Sequence, residues 1–492
     1  MKKSMILDFV SKDPDKAYVS NRLWLPKALI RIGPVKRALE FMVTQKGMQT
    51  KHEMWSESRH HIVCPREFLR PEEYTKYDFP FVDARPQFEP MQFEDLVKPR
   101  NDEQVKAWDA LSKNDNGIFN LGCGKGKTKL ALKKIAQRGL PTLVIVPDGG
   151  ILDQWRRSIY GDEDSPPGLK FHGKLGIIQG TTFDWQRPVT LALVTTLALQ
   201  IRDGKLPEEL FRYFGQVIYD EVHQIGAPVF SLTASPFYGD RIGLTATVQR
   251  EDGLDPIYRY HIGEPFYTDL VQDLIPQIWF QQTPVKLEDS KAIINGITNI
   301  SVLRSLLGTD QYANTYRYWC IKKALDNGRK ILCLSHSKKQ LKLFHAMFPK
   351  SGLIIAETDR DTRTAVLRNS QICFAIARLG SVGVDDDKLD TLFCMTPFRS
   401  KIALQQSMGR IQRFREGKKS PVMVVFEDWT SKPLRRLCSS IKGTLRQWGF
   451  KFDVFKPLEM PVPDSLPPDV QARYDAAYAL IKAEEDDVDD ED

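Results

Sequence analysis

No two of the seven cysteines are spaced as CxxC. A zinc ribbon or a thioredoxin-type redox centre is therefore excluded on spacing. The run "HHIVC" at 60–64 lies near His52, but no second ligand pair at zinc spacing accompanies it. No apolar run approaches the ~18 residues of a membrane span. The basic start "MKKSMILDFVSKD" has too short an apolar stretch for a signal peptide. Four cysteines sit in apolar stretches, where a reduced thiol behaves as a small hydrophobe. A soluble, intracellular protein with no membrane partner is expected.

What is present is ordinary in amount and uneven in placement. A hydrophobic content of 42% and a charged content of 27% are those of globular domains. At 492 residues the chain is too long for one core, so two or three domains are expected. The formal charge is +7, yet "EEDDVDDED" (484–492) holds eight acids, so the body carries about +15. That asymmetry suits a polyanion-binding body with a disordered acidic end; a basic protein with a solvating tail fits it equally.

Four regions follow from the pattern. Residues 1–97 form a small N-terminal accessory domain, closed by the extended "YDFPFVDARPQFEPMQF". Its "PKALIRIGPVKR" (26–37) suits a DNA or protein partner, or simply a solvated face. Over 98–275, helical segments alternate with short apolar runs: 117–122, 142–147, 189–196, 216–221 and 241–247. Over 276–457 they do so again, at 329–337, 351–357, 370–377, 389–395 and 420–428. Short apolar runs between helices indicate buried parallel strands, hence two tandem α/β units. Residues 458–492 hold a terminal helix (464–483) and the acidic tail.

"NLGCGKGKTKLAL" (120–132) places a Gly/Lys loop between a strand and a helix. Loop N–H groups and the helix dipole then face an anion. Gly124 and Gly126 permit the turn, and both, with Lys125 between them, are expected at the bound nucleotide. Lys127 reaches β/γ-phosphates, and Thr128 offers its hydroxyl to Mg²⁺. Leu121 stands where the generic pattern has its first glycine, with Gly122 one place on. "VIYDEVHQIGA" (217–227) sets Asp220 and Glu221 after an apolar strand. Asp220 suits Mg²⁺ and Glu221 an attacking water. In "LQQSMGRIQRFREGKK" (404–419), Gln406, Gly409, Arg410 and Arg413 have the spacing of one helical face. Two arginines there suit charge developing on a γ-phosphate, or a plain basic surface.

"GCGKGKT", "DEVH", "LTAT" and "QSMGRIQR", in this order and spacing, resemble motifs I, II, III and VI of superfamily two helicases. "GLTATVQREDG" (243–253), with Arg250, Glu251 and Asp252, further resembles the xeroderma group B type excision-repair helicases and related phage and poxvirus DNA helicases. The resemblance covers about 98–430. It implies two RecA-like domains with central parallel sheets and ATP with Mg²⁺ as cofactors. It also implies a nucleic-acid-dependent ATPase whose partner is single-stranded, duplex or branched DNA.

The resemblance also assigns roles. Gln104 matches the adenine-reading glutamine, though a helix-surface glutamine looks the same. Pro147, in "VIVPDGGILDQW", matches the strand-contacting motif Ia, and Thr195 and Thr196 the motif after it. Trp155 reads as core. His223, Thr245 and Thr247 would couple ATP state to domain closure. Gln406 and Asp385 join the nucleotide contacts; Gly383 joins the nucleic-acid contacts in "IARLGSVGVDDD" (376–387). Ala377 and Val382 depart from that motif. RNA as substrate, and a hydrolytically weak nucleic-acid-binding scaffold, remain the alternatives.

Overall fold

The computed structural model describes residues 13–45, 48–122, 124–162, 165–225, 227–246, 253–269, 274–283, 289–294, 297–380, 386–413, 415–456 and 462–489. Two compact units divide the chain, Met1–Val271 and Gln272–Asp492.

The first unit is built on an eight-stranded sheet. In spatial order its strands are Thr182–Asp184, Gly176–Gln179, Val189–Leu193, Thr142–Val146, Gln216–Tyr219, Asp240–Thr245, Gly117–Leu121 and Pro265–Asp269. All pair in parallel except the edge hairpin Gly176–Gln179/Thr182–Asp184. The central strands are buried on both faces. That is why they are continuous apolar runs rather than alternating ones.

The N-terminal residues form a five-stranded sheet in the order Ser56–Glu57, His61–Cys64, Leu23–Pro26, Ala17–Val19, Phe81–Asp83. A hairpin, Glu40–Gln45/Met48–Glu53, stands beside it in sequence. Part of the expected linker is thus a strand: Phe81–Asp83 pairs in parallel with Ala17–Val19. Nor is this core separate from its neighbour. Leu254 and Ile257 pack into it alongside Leu23, Leu39 and Ile62. Arg66, 2% exposed, donates to the carbonyls of Tyr238 (2.9 Å) and Gly239 (2.8 Å) and to Asn116 Oδ1 (2.8 Å). Hydrogen bonds to a charged group contribute about 1.5–3 kcal/mol each, so this arginine is a firm tie between block and sheet.

The second unit holds a seven-stranded, all-parallel sheet in the order Gly352–Ile354, Ile372–Ile376, Ile331–Ser335, Thr391–Cys394, Val422–Glu427, Gln277–Gln282, Asp453–Phe455. Its two faces are covered by separate apolar clusters. Two large parallel sheets and a small N-terminal sheet are the expected tandem RecA-like architecture.

The terminal helix runs Pro468–Asp489. It packs Val470, Tyr474 and Ile481 into the second unit's core and continues as helix through much of the acidic segment expected to be disordered. Among the described residues no helix is long and apolar enough to cross a membrane. The same residues hold no cluster of three metal-ligating side chains. His61 instead bonds the Lys16 carbonyl at 2.9 Å, and Cys64 is buried.

Candidate active site

Three neighbouring parallel strands of the first unit, Gln216–Tyr219, Asp240–Thr245 and Gly117–Leu121, end at one edge, where loops follow the first and the last of them. Ligands of open α/β sheets bind at the carboxyl ends of strands, and these loops lie there.

The first loop leads into the helix Lys127–Arg138. Gly124 (φ 79°) and Gly126 (φ 88°) are left-handed, a conformation that favours glycine. At Gly126 a Cβ would also lie 2.5 Å from Gln104 Nε2. Loop carbonyls repel a phosphate unless they are turned away, and here those of Gly124 and Lys125 each find a donor. Arg100 Nη2 holds the Gly124 carbonyl at 3.0 Å, and Gln104 Nε2 holds that of Lys125 at 2.9 Å. Lys127 Nζ rests on the Leu121 carbonyl at 2.9 Å. Thr128 is half-buried in the first helical turn.

Two expectations change here. Gln104 is 7% exposed, and its Oε1 accepts the Arg100 amide at 2.8 Å. Its amide braces the loop rather than standing open for a base. The Lys125 ammonium, expected at a nucleotide, is paired with Asp269 (2.8 Å) and Glu103 (3.2 Å). Burial opposes that charge, but the two hydrogen bonds outweigh it and raise the pKa above its ordinary value.

The second loop carries the carboxylates. Asp220 is buried and accepts the Trp155 indole N–H at 2.7 Å and the Glu221 amide at 2.9 Å. Burial first, and then the Glu221 charge, push its carboxyl up to about 6; the Trp155 bond and the Lys127 charge pull the other way. Glu221 is the one non-glycine residue with positive φ (46°) among the described residues. A left-handed glutamate costs roughly 1–2 kcal/mol, and such strain is stored where a side chain must point one way. Its Oε2 is buried, 3.4 Å from His223 Nδ1, and has no hydrogen bond among the described residues. An unsatisfied buried oxygen beside an aspartate supplied with neutral donors fits a hydrated cation and an attacking water. Asp220 and Thr128 are the residues that would hold Mg²⁺.

The end of the strand Asp240–Thr245 closes the set. His223 Nδ1 meets Thr245 Oγ1 at 2.7 Å, joining the two motifs expected to couple. Thr247 lies outside the described residues, as do Gly383, Asp385, Val382 and the Arg250-Glu251-Asp252 triplet.

Pro147 is half-buried after its strand, and Asp148 caps the helix Gly149–Tyr160 by accepting the amides of Gly150 and Ile151. Thr195 and Thr196 are not strand-end residues. The strand stops at Leu193, and Val194–Arg202 is a helix. There Thr195 is exposed, and Thr196 Oγ1 accepts the Gly180 amide at 3.1 Å.

In the second unit the helix is Lys401–Ile411. Gln406, Gly409 and Arg410 lie on it, but Arg413 lies beyond its end and leaves the expected helical face. The Arg413 carbonyl is held by Lys418 Nζ at 2.8 Å.

Sequence reasoning missed Arg100 and Asp269, and it took Trp155 only as core. Trp155 is fully buried, but its indole N–H serves the aspartate of the second loop.

The sequence profile of the type III restriction enzyme res subunit (ResIII) matches residues 93–250. A protein of Acanthamoeba polyphaga mimivirus, provisionally named an ATP-dependent RNA helicase, is 25% identical over 372 residues, 72% of this chain and 67% of its own. The DNA 3'-5' translocase XPB2 of Sulfurisphaera tokodaii is 32% identical over 173 residues, 35% of each chain. Among solved structures, S. cerevisiae Dbp5 bound to RNA and ADP BeF3 aligns with a TM-score of 0.51 at 12% identity, covering 78% of this chain and 94% of that one.

Proposed function

The chain has the motif set and the fold of the superfamily two helicases, and on that footing we propose that it is a DNA-stimulated ATPase that translocates along DNA and separates or remodels its strands. The observation that carries this is the pairing of a strained Glu221, its buried oxygen unsatisfied, with a buried Asp220 beside a braced phosphate loop. A binding scaffold has no use for that strain.

In this reading the loop amides and the dipole of the Lys127–Arg138 helix bind the phosphates. Lys127 leaves the Leu121 carbonyl for a phosphate oxygen. Glu221 orients a water and takes its proton as the oxygen attacks the γ-phosphorus. Mg²⁺, when bound, neutralises phosphate charge. The role left to Arg410 and Arg413 is to stabilise charge developing on the γ-phosphate. The His223–Thr245 bond carries the state of the second loop into the end of the strand Asp240–Thr245.

DNA rather than RNA is supported by the Arg-Glu-Asp after "LTAT" and by the kinship with the translocase of Sulfurisphaera tokodaii. The mimiviral relative, which spans more of the chain, favours RNA. Steady-state hydrolysis with no nucleic acid, with single-stranded or forked DNA, and with matched RNA decides between them. Stimulation by DNA, reduced about 10²–10⁴-fold in Glu221→Gln, is expected. Stimulation by RNA alone replaces the substrate. No hydrolysis with any ligand removes the motor.

A further inference from the structure

The helix Lys432–Gln447 contains five lysines and arginines and no acid. Its inner face is settled: Cys438, Ile441 and Leu445 are buried against the second unit's sheet, and Leu434 packs into a separate cluster with Ala292, Leu303 and Leu307. Lys442 and Arg446 are also spoken for. Lys442 Nζ lies 2.8 Å from both Glu427 oxygens, and Arg446 lies over the Phe452 ring.

Lys432, Arg435 and Arg436 differ. All three are exposed, they share one helical face at i, i+3 and i+4, and none makes an ion pair among the described residues. The acids that precede them are turned inward: Glu427 is taken by Lys442 and Asp428 by Arg317. Neither of these two acids is thus left to balance the three cations. Farther along the same face, Ser439 is exposed, and a Cβ on Gly443 would meet nothing within 4 Å. At the head of the helix stands Trp429, 43% exposed. A part-exposed aromatic ring three residues ahead of a run of cations that make no ion pair among the described residues is the combination that tracks a nucleic-acid strand, cations on phosphates and ring on a base.

We propose that Trp429 with Lys432, Arg435 and Arg436 forms a single-strand-binding surface on the second unit, additional to the helicase motifs. Its occupant is an unpaired stretch of the nucleic acid on which the motor works, so it rests on the function proposed above. A duplex would use the cations but leave the indole without a base to stack on.

The test is binding of a fluorescein-labelled mixed-sequence single strand to the full chain across a salt series. Arg435→Ala/Arg436→Ala is compared with Lys323→Ala/Lys350→Ala, which removes equal charge elsewhere. The expected result is a log–log salt slope smaller by about 1.4 and an affinity about tenfold lower at 0.1 M salt, only in the first double variant. Trp429→Ala weakens binding by about tenfold, Trp429→Phe restores most of it, and duplex affinity stays constant in both. ATP hydrolysis without nucleic acid stays at the wild-type rate in all of them. If the wild type binds strongly and the first double variant binds equally with an unchanged slope, the surface is refuted while the motor stands. If the wild type neither binds nor is stimulated by any strand, the functional reading fails first.

Discussion

Each unit carries a buried aspartate just beyond the carboxyl end of a parallel strand. Asp220 follows Gln216–Tyr219, and Asp428 follows Val422–Glu427. Burial raises the pKa of both, so the direction of the shift does not tell them apart. Their partners do. Asp428 faces a buried guanidinium, Arg317 Nη2, at 3.0 and 3.1 Å, and also accepts the Thr283 hydroxyl. Its charge is answered inside the protein, and it pins the helix Gln311–Asp326 to the sheet. Asp220 receives an indole and an amide, both neutral. A carboxylate given donors but no cation of its own keeps its demand for one. The same residue type just past the carboxyl end of a buried parallel strand is thus structural in one unit and, in the function proposed, left to hold a cation in the other.

The largest way to break this contrast is Asp220→Asn. It should lower ATP hydrolysis by at least about 10²-fold yet stabilise the nucleotide-free protein. With the carboxyl raised to about 6, its ionisation costs on the order of 2–3 kcal/mol at neutral pH, a cost the amide avoids. Chemical denaturation monitored in parallel with activity checks both signs. Asp428→Asn should do the reverse. Leaving Arg317 buried without its counter-charge should cost about 3–5 kcal/mol, seen as early unfolding of the second unit in hydrogen exchange.

Trp155→Phe sharpens the comparison further. It removes a neutral donor while keeping a buried ring. The half-saturating Mg²⁺ for binding a fluorescent ADP should rise by about tenfold or more, the worth of one hydrogen bond to a charged group at about 1.5–3 kcal/mol. An unchanged Mg²⁺ requirement would reduce the indole to packing. The finest test is the pH dependence of the first variant. A folded-state pKa above the unfolded 3.8 means the penalty is complete above about 6 and vanishes toward pH 4. The stability gained by Asp220→Asn should shrink across that window, and a gap constant from pH 4 to 7 would contradict the assignment.

Much of this was legible in the sequence because buried parallel strands leave short apolar runs and phosphate loops leave glycines. Periodicity failed where two elements met without punctuation. "VTLALVTTLAL" is apolar across a strand end and a helix start, so Thr195 and Thr196 were placed on the wrong element. Arg413 was placed on a helix because its spacing continued past the point where the helix stops. The bond between Trp155 and Asp220 spans 65 residues, and no local pattern announces it. Lys125 looked like a phosphate ligand because its partner Asp269 lies 144 residues away.

The N-terminal block looked detachable for the same reason, since the contacts that hold it are distant in sequence. Arg66 reaches the carbonyls of Tyr238 and Gly239, and Leu254 and Ile257 complete the core beneath it. Removing residues 1–97 would strip a lid from apolar side chains and orphan two carbonyls. Mechanically, block and first sheet are one casting. Whatever the N-terminal surface grips would move rigidly with the loop at Gly124–Gly126, as a tool head moves with its handle, rather than trailing on a tether.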